Sequence, residues 1–150
     1  MEPVDEAIYT KLKDDLIRYA TTLVGPDEAE DVLSSVILRV LNRKRLSDLE
    51  EPKPYLFRAV LNESRNVLRR RRPIADMRDA VEDTHNHDWA VARAIRELPP
   101  RQRAAIYLVY WEDMTIVQTA RAMGARPGTV KRYVHMARKT LRGVLDEHGI

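Results

Sequence analysis

Apolar residues recur at helical spacing along most of the chain and never alternate as in a strand, so the pattern predicts an all-α protein. Ile8, Leu12, Leu16, Tyr19, Ala20 and Leu23 share one face of a long amphipathic helix over residues 3–24, with Pro3 suited to its first turn. Gly25-Pro26-Asp27 interrupts it. A second helix over 27–42 opens on acids that complement the positive end of the helix dipole and presents Ala29, Val32, Leu33, Val36, Ile37, Val40 and Leu41. So wide an apolar face belongs to a helix packed between neighbours. Residues 43–53 form a polar loop leading through Pro52 and Pro54 into a third helix over 55–72, apolar at Tyr55, Leu56, Phe57, Ala59, Val60, Val67 and Leu68 and ending in Arg69 to Arg72. Pro73 stops it. Residues 74–87 keep no sustained apolar period and read as a linker. As a flexible coil, residues 73–87 would average roughly 20 Å end to end and stretch to about 50 Å. Two further helices follow, over 89–98 (Trp89, Ala92, Ile95) and 101–111 (Ala105, Ile106, Leu108, Val109), separated by Pro99-Pro100.

The last stretch, residues 115–141, has two helical periods around a break. Ile116, Val117, Ala120 and Met123 belong to the first and Val130, Val134, Ala137 and Leu141 to the second, with Gly124-Ala125-Arg126-Pro127 between them. Thr115 with Gln118 three residues later is a capping box, Gly124 suits a left-handed residue ending a helix, and Pro127 suits the first turn of the next. The result is a helix-turn-helix. Opposite the apolar stripe of its second helix lie Lys131, Arg132, His135, Arg138, Lys139 and Arg142, and no acid occurs between Asp113 and Asp146. A basic outer face behind an apolar inner one is what a helix needs to enter the major groove of DNA.

Charge sharpens this picture. The net charge of +3 conceals strong blocks. Residues 2–31 carry nine acids against three bases, net −6; residues 53–73 carry seven bases against Glu63, net +6; residues 74–88 carry five acids against Arg78, net −4. Two basic segments separated by an acidic one point to two contacts with a polyanion, and the acidic N-terminal segment to a protein partner. The absence of cysteine excludes disulfides, thiol sensing and cysteine metal sites. No apolar run approaches the ~18 residues of a membrane span, and the acidic start is unlike a signal peptide, so a cytoplasmic protein without membrane insertion is expected. Neither a Gly-rich phosphate loop nor a repeat period is present.

With these residues in place, the segment running from Leu98-Pro99-Pro100-Arg101-Gln102-Arg103 through the Gly124 turn to Gly128-Thr129-Val130-Lys131 resembles the promoter-reading C-terminal domain of bacterial sigma factors. Glu28-Ala29-Glu30-Asp31, and Tyr55-Leu56-Phe57-Arg58 with Asn62, Arg65 and the arginine run, resemble the other conserved sigma domain. Both halves in this order, with a short linker, are similar to the extracytoplasmic-function (ECF) group of the sigma-70 family. The resemblance implies an all-α fold of two small helical domains, residues 1–73 and 88–150, joined by a flexible linker over 74–87. It implies core RNA polymerase and promoter DNA as partners, an anti-sigma protein being common in the group, and no catalytic residue, cofactor or metal. Glu28, Glu30, Asp31, Ser34 and Ser35 would then hold polymerase, and Arg58, Asn62, Arg65, Arg69 and Arg70 the minus-ten element. Lys131, Arg132 and His135 would read the minus-thirty-five duplex, aided by Arg126, Thr129 and Arg138, with Arg126 and Arg138 on phosphates.

The chain departs from the group's usual pattern at Ser34 and Ser35, where a Gln and an acid are common, and at Arg126, Arg132, Tyr133 and Met136 around the recognition helix. A helix-turn-helix regulator acting without polymerase is the alternative; the acidic helix and the second basic helix speak against it. His85-Asn86-His87 spells a nuclease motif, but adjacent residues in a linker do not make the ββα-metal site that motif needs.

Overall fold

The computed structural model describes residues 2–71 and 87–147, and side chains outside 87–89. Seven helices and one 3₁₀ turn occur among them, and no strand: α1 (Pro3–Val24), α2 (Pro26–Arg43), the 3₁₀ turn (Leu46–Asp48), α3 (Pro52–Arg70), α4 (His87–Glu97), α5 (Pro100–Tyr110), α6 (Ile116–Met123) and α7 (Pro127–Glu147). The expected linker over 74–87, the His85-Asn86-His87 motif and the end of the arginine run at Arg72 lie outside the described residues or side chains.

Five of these helices begin on proline, at Pro3, Pro26, Pro52, Pro100 and Pro127. Proline is pre-set to the helical φ and its missing N–H would have had no partner in a first turn. This is why α3 starts at Pro52 rather than at Tyr55: Pro54 still falls within the first turn, where a second missing donor costs nothing. Thr115 does the same work for α6 by another route. Its hydroxyl accepts from Gln118 N–H at 3.1 Å while its own N–H donates to the Gln118 side chain at 2.9 Å, completing the capping box. Gly25 alone separates α1 from α2, at φ +95°, in the left-handed region that favours glycine.

α1, α2 and α3 pack around Leu16, Tyr19, Leu23, Leu33, Val36, Leu56, Phe57 and Val60, all at or within a few per cent of full burial. Leu46 of the 3₁₀ turn is fully buried as well, and the buried Asp5 carboxylate accepts the Ser47 N–H at 2.9 Å, tying the turn to α1. Two leucines in an otherwise polar stretch do not sustain a period, so the loop over 43–53 concealed a core residue. α5, α6 and α7 form the second group, its interior dominated by Ala104, Ala105, Ala120, Ala122, Val130 and Ala137. Small side chains there let α5, α6 and α7 approach closely.

The two groups are docked on each other and share one continuous core. α1 meets α5, and α3 meets α6. Tyr19 sits at the junction, its ring centroid 5.0 Å from Phe57 and 5.4 Å from Tyr107 of the second group. The Arg103 guanidinium, buried in the same junction, donates from Nη1 to the Leu23 carbonyl at 2.5 Å and more weakly to Thr22 at 3.4 Å, and from Nη2 to the Leu98 carbonyl at 2.8 Å. α1 has no basic residue in its own last turn, and Arg103 supplies the cation that its unpaired terminal carbonyls favour.

Candidate nucleic-acid interface

Residues 58, 62, 65 and 69 follow the spacing i, i+4, i+7, i+11, so Arg58, Asn62, Arg65 and Arg69 form one stripe on α3. Leu56, Phe57, Val60, Leu61 and Ser64 are buried on the other side. Arg58, Asn62 and Arg69 are exposed and Arg65 is half-buried. The stripe looks across at the second group. Arg65 and Arg69 form one wall of a groove of about 420 Å³ whose other wall is Pro99, Pro100, Arg101, Gln102 and Tyr133. Arg58 lies against the helix-turn-helix turn, its Nε only 2.6 Å from where a Cβ on Gly124 would stand. No carboxylate among the described residues forms an ion pair with Arg58, Arg65, Arg69 or Arg101. Partial burial, and then the nearby Arg101 and Arg69 cations, hold the Arg65 pKa below its ordinary value. Converging guanidiniums without a carboxylate make a strongly electropositive wall suited to phosphates.

Arg70, expected beside Arg69, points elsewhere. It pairs with Glu63 at 3.7 Å, and Glu63, nearly buried, is also reached by Arg39 at 3.4 Å. Arg71 pairs with Glu28 and donates to the Val24 carbonyl, so one member of the expected polymerase-binding set is engaged within the fold. Glu30, Asp31 and Ser34 lie exposed on α2 and Ser35 is half-buried. Sequence reasoning missed Leu38, which continues the Asp31–Ser34 face one turn further and is 67% exposed. An apolar residue left in water beside acids is a signal of a protein contact, and its place outside the apolar period of the helix is what could have found it.

On α7, Val130, Val134 and Ala137 face the core, while Lys131, Arg132, His135, Arg138 and Lys139 are exposed. Lys131, His135, Arg138, Lys139 and Arg142 line a cleft of about 650 Å³ shared with Ile116, the first residue of α6. Arg126, immediately before α7, is exposed and Thr129 half-buried, and the Arg126 carbonyl accepts the Val130 N–H at 3.0 Å. Gly124, at φ +66°, is the left-handed residue the turn was expected to need.

Two ion pairs cross between the halves near this turn, Glu51 to Arg121 at 3.1 Å and Lys53 to Glu112 at 3.5 Å. Burial raises the Glu112 pKa, Asp15 adds to it, and Lys53 opposes. Trp111-Glu112-Asp113 is the turn between α5 and α6; no group of three or more possible metal-ligating side chains occurs among the described residues.

The family description Sigma-70 region 2 matches residues 8–74, and Sigma-70, region 4 matches residues 88–141. The RNA polymerase sigma-E factor of Streptomyces avermitilis is 34% identical over 161 residues, an overlap covering 97% of this chain and 87% of that protein. The chain belongs to the sigma-70 family of RNA polymerase sigma factors. Among further relatives, sigma factor SigV of Bacillus subtilis is 26% identical across 89% of this chain and 86% of its own length. The ECF sigma factor SigM of Mycobacterium tuberculosis is 35% identical over a shorter overlap, 61% of this chain and 50% of its own. These relatives place the chain in the ECF group. The fold is that of the sigma factor RpoE solved with the anti-sigma factor NepR from Bartonella quintana, with a TM-score of 0.75 over 94% of this chain and 96% of that one at 21% identity. CnrH, solved with the cytosolic domain of CnrY, has a TM-score of 0.71 over 95% of this chain and 88% of its own, also at 21% identity. Matches to both regions, in order, disfavour a regulator built on the helix-turn-helix alone.

Proposed function

We infer that this ECF-type sigma factor joins core RNA polymerase and directs it to promoters, with residues 1–73 holding polymerase and the minus-ten element and residues 88–150 reading the minus-thirty-five element. The observation that carries this reading is the pair of exposed cationic faces, Arg58–Asn62–Arg65–Arg69 on α3 and Lys131–Arg132–His135–Arg138 on α7, joined to an acidic and apolar face on α2. Two of these surfaces suit nucleic acid and the third a protein.

On α2, Glu30 and Asp31 would supply charge and Ser34 and Leu38 close contact to polymerase. On α3, the arginine stripe would track the phosphates of the non-template strand while Asn62 offers an amide to an unstacked base. Extruding a base costs a few kcal/mol, which such contacts offset. On α7, Arg and Lys side chains reach phosphates and guanine edges, the first fixing register and the second reading sequence. The chain contributes recognition, and the bond-forming chemistry belongs to polymerase. A protein working with polymerase acts in the cytoplasm, and no described helix is long and apolar enough to cross a membrane.

Reconstitution with core RNA polymerase tests this reading. The native chain should co-purify with core enzyme and support transcription from specific start sites. Leu38→Asp and Asp31→Arg, both at exposed positions, should weaken core binding at least tenfold with unchanged thermal stability. A chain that fails to bind core enzyme would sink the proposal.

A further inference from the structure

Like charges meet across the junction at the C-terminal end of α3. Arg65 and Arg69 come from the first half of the chain and Arg101 from the second, and all three line one groove of about 420 Å³. They stand close together: after its own partial burial, Arg101 and then Arg69 oppose the charge of Arg65. Among the described residues none of the three has a carboxylate partner. Arg69 donates to the Asn66 side-chain oxygen, and Arg101 only weakly to the Tyr133 hydroxyl, at 3.5 Å. At the other end of α3 the same junction is closed by opposite charges, Glu51 with Arg121 and Lys53 with Glu112. Cations held together without a counter-charge destabilise the docked arrangement, and an anion seated between them would reverse that sign.

We propose that this groove is a binding site for a small anion with two or three linked phosphates, inorganic or carried by a nucleoside, which bridges the two halves. Its volume falls in the range of small-molecule sites, about 300–1,000 Å³. One phosphate group brings about two negative charges, which leaves three guanidiniums in excess. Two or three linked phosphates match them, and guanidinium groups hold phosphate oxygens bidentately. Pro99, Pro100 and Tyr133 line the same groove and offer a base an apolar and aromatic surface. Because the walls belong to different halves, such a ligand binds the docked arrangement and shifts the chain toward it. The site stands apart from the function assigned above. Only its consequence rests on that reading, namely that an occupant withholds Arg65 and Arg69 from the minus-ten strand.

Calorimetric titration of the whole chain, in magnesium-free buffer, tests this with inorganic triphosphate, ATP and adenosine. Triphosphate should bind and raise the Tm of the native chain, and adenosine should do neither. ATP binding no tighter than triphosphate assigns the site to an inorganic anion; tighter binding assigns it to a nucleoside-borne one. Arg101→Gln and Arg69→Gln, exposed and on opposite walls, should each weaken triphosphate binding about tenfold. Neither should lower the ligand-free Tm, because each removes a like charge. Lys139→Ala takes a cation from the larger cleft on α7 and should bind triphosphate as the native chain does. Absence of binding to the native chain would overturn the proposal, as would binding of adenosine. So would weakening by only one of the two arginine variants, since the ligand would not bridge the halves, or equal weakening by Lys139→Ala, since anions would then gather on any basic surface. A chain that binds triphosphate but never joins core polymerase would instead overturn the function assigned above, so the two failures are told apart.

Discussion

Replacing Arg103 by methionine removes a contact that fastens the two halves, through Leu23, together with a bond to Leu98 in its own half. Methionine keeps most of the side-chain volume and removes the guanidinium, leaving the Leu23 and Leu98 carbonyls without their donors at 2.5 and 2.8 Å. A hydrogen bond to a charged donor contributes about 1.5–3 kcal/mol net, so two well-formed ones contribute about 3–6 kcal/mol; the third, to Thr22 at 3.4 Å, adds little. Against this, burial and then the nearby Arg71 and Arg96 cations pull the Arg103 pKa down to about 10, which means the charge is held at a cost. The lower end of the range, about 3 kcal/mol, is therefore expected. For a chain of this length that lowers Tm by about 6–12 °C. Because a pKa of about 10 leaves the group protonated at neutral pH, the loss should be flat between pH 6 and 8. Between the folded value and the higher unfolded one the unfolded chain binds more protons, so any pH effect of this group is a gain of stability as pH rises there. Arg103→Lys keeps the charge but cannot span both carbonyls, and should lose about half as much. Urea unfolding followed by circular dichroism measures all three proteins. A loss below 1 kcal/mol for Arg103→Met would refute the assignment of Arg103 as a fastening residue.

Three other perturbations read different parts of the fold. The Tyr19 hydroxyl is buried without a hydrogen-bond partner among the described residues, so Tyr19→Phe should raise stability by about 1 kcal/mol in urea melts. Burial also raises the Tyr19 pKa, so the folded chain keeps a proton the unfolded one releases above pH ~10; stability is lost as pH rises past that point, and the Phe variant should lose less of it. Gly124→Ala should cost about 1–2 kcal/mol for a side chain in the left-handed region, and slightly less in an Arg58→Ala background, since the guanidinium would otherwise have to move; equal stability to the native chain would contradict the turn geometry. Finally, minus-ten and minus-thirty-five elements lie about 25 base pairs apart, roughly 85 Å of duplex, whereas Arg58 touches the Gly124 turn. Bridging Glu51→Cys to Arg121→Cys with a short thiol crosslinker, in a chain that has no other cysteine, should cut promoter-directed transcription at least tenfold relative to the unbridged pair, and unaltered transcription would show that the docked halves need not part.

The helix starts at Pro3, Thr115–Gln118 and Pro127 were legible in the sequence because a proline or a capping box acts within one turn, whereas Pro26, Pro52 and Pro100 read as breaks and turned out to open their helices. Docking was not. Apolar periodicity reports which face of a helix avoids water but not which neighbour covers it, and the expected pair of domains gave no sign of a shared core. Arg103 illustrates the limit: two of its acceptors are backbone carbonyls some eighty residues away, and every residue has one. Leu38 shows the converse, an apolar residue in an apolar run that nothing in the fold covers.

The arginine run shows how little composition fixes about a site. Successive helix residues turn by about 100°, so four identical side chains cannot share a task. Arg69 faces the groove with Arg65, Arg70 pairs with Glu63, and Arg71, past the helix end, holds Glu28 and the Val24 carbonyl. Opposite outcomes follow for two adjacent substitutions. Arg69→Ala removes an exposed cation without a carboxylate partner, so stability should change by less than 0.5 kcal/mol, while holoenzyme affinity for the minus-ten strand falls and its salt dependence flattens by about one phosphate contact. Arg71→Ala removes a link between α1, α2 and α3, so it should cost about 1 kcal/mol with the salt dependence of strand binding unchanged. Strand binding measured across a salt series, beside urea melts of the same proteins, separates the two. Equal salt slopes for both variants would mean that the run acts as an undifferentiated patch of charge, and that the stripe on α3 does not select which arginines meet the DNA.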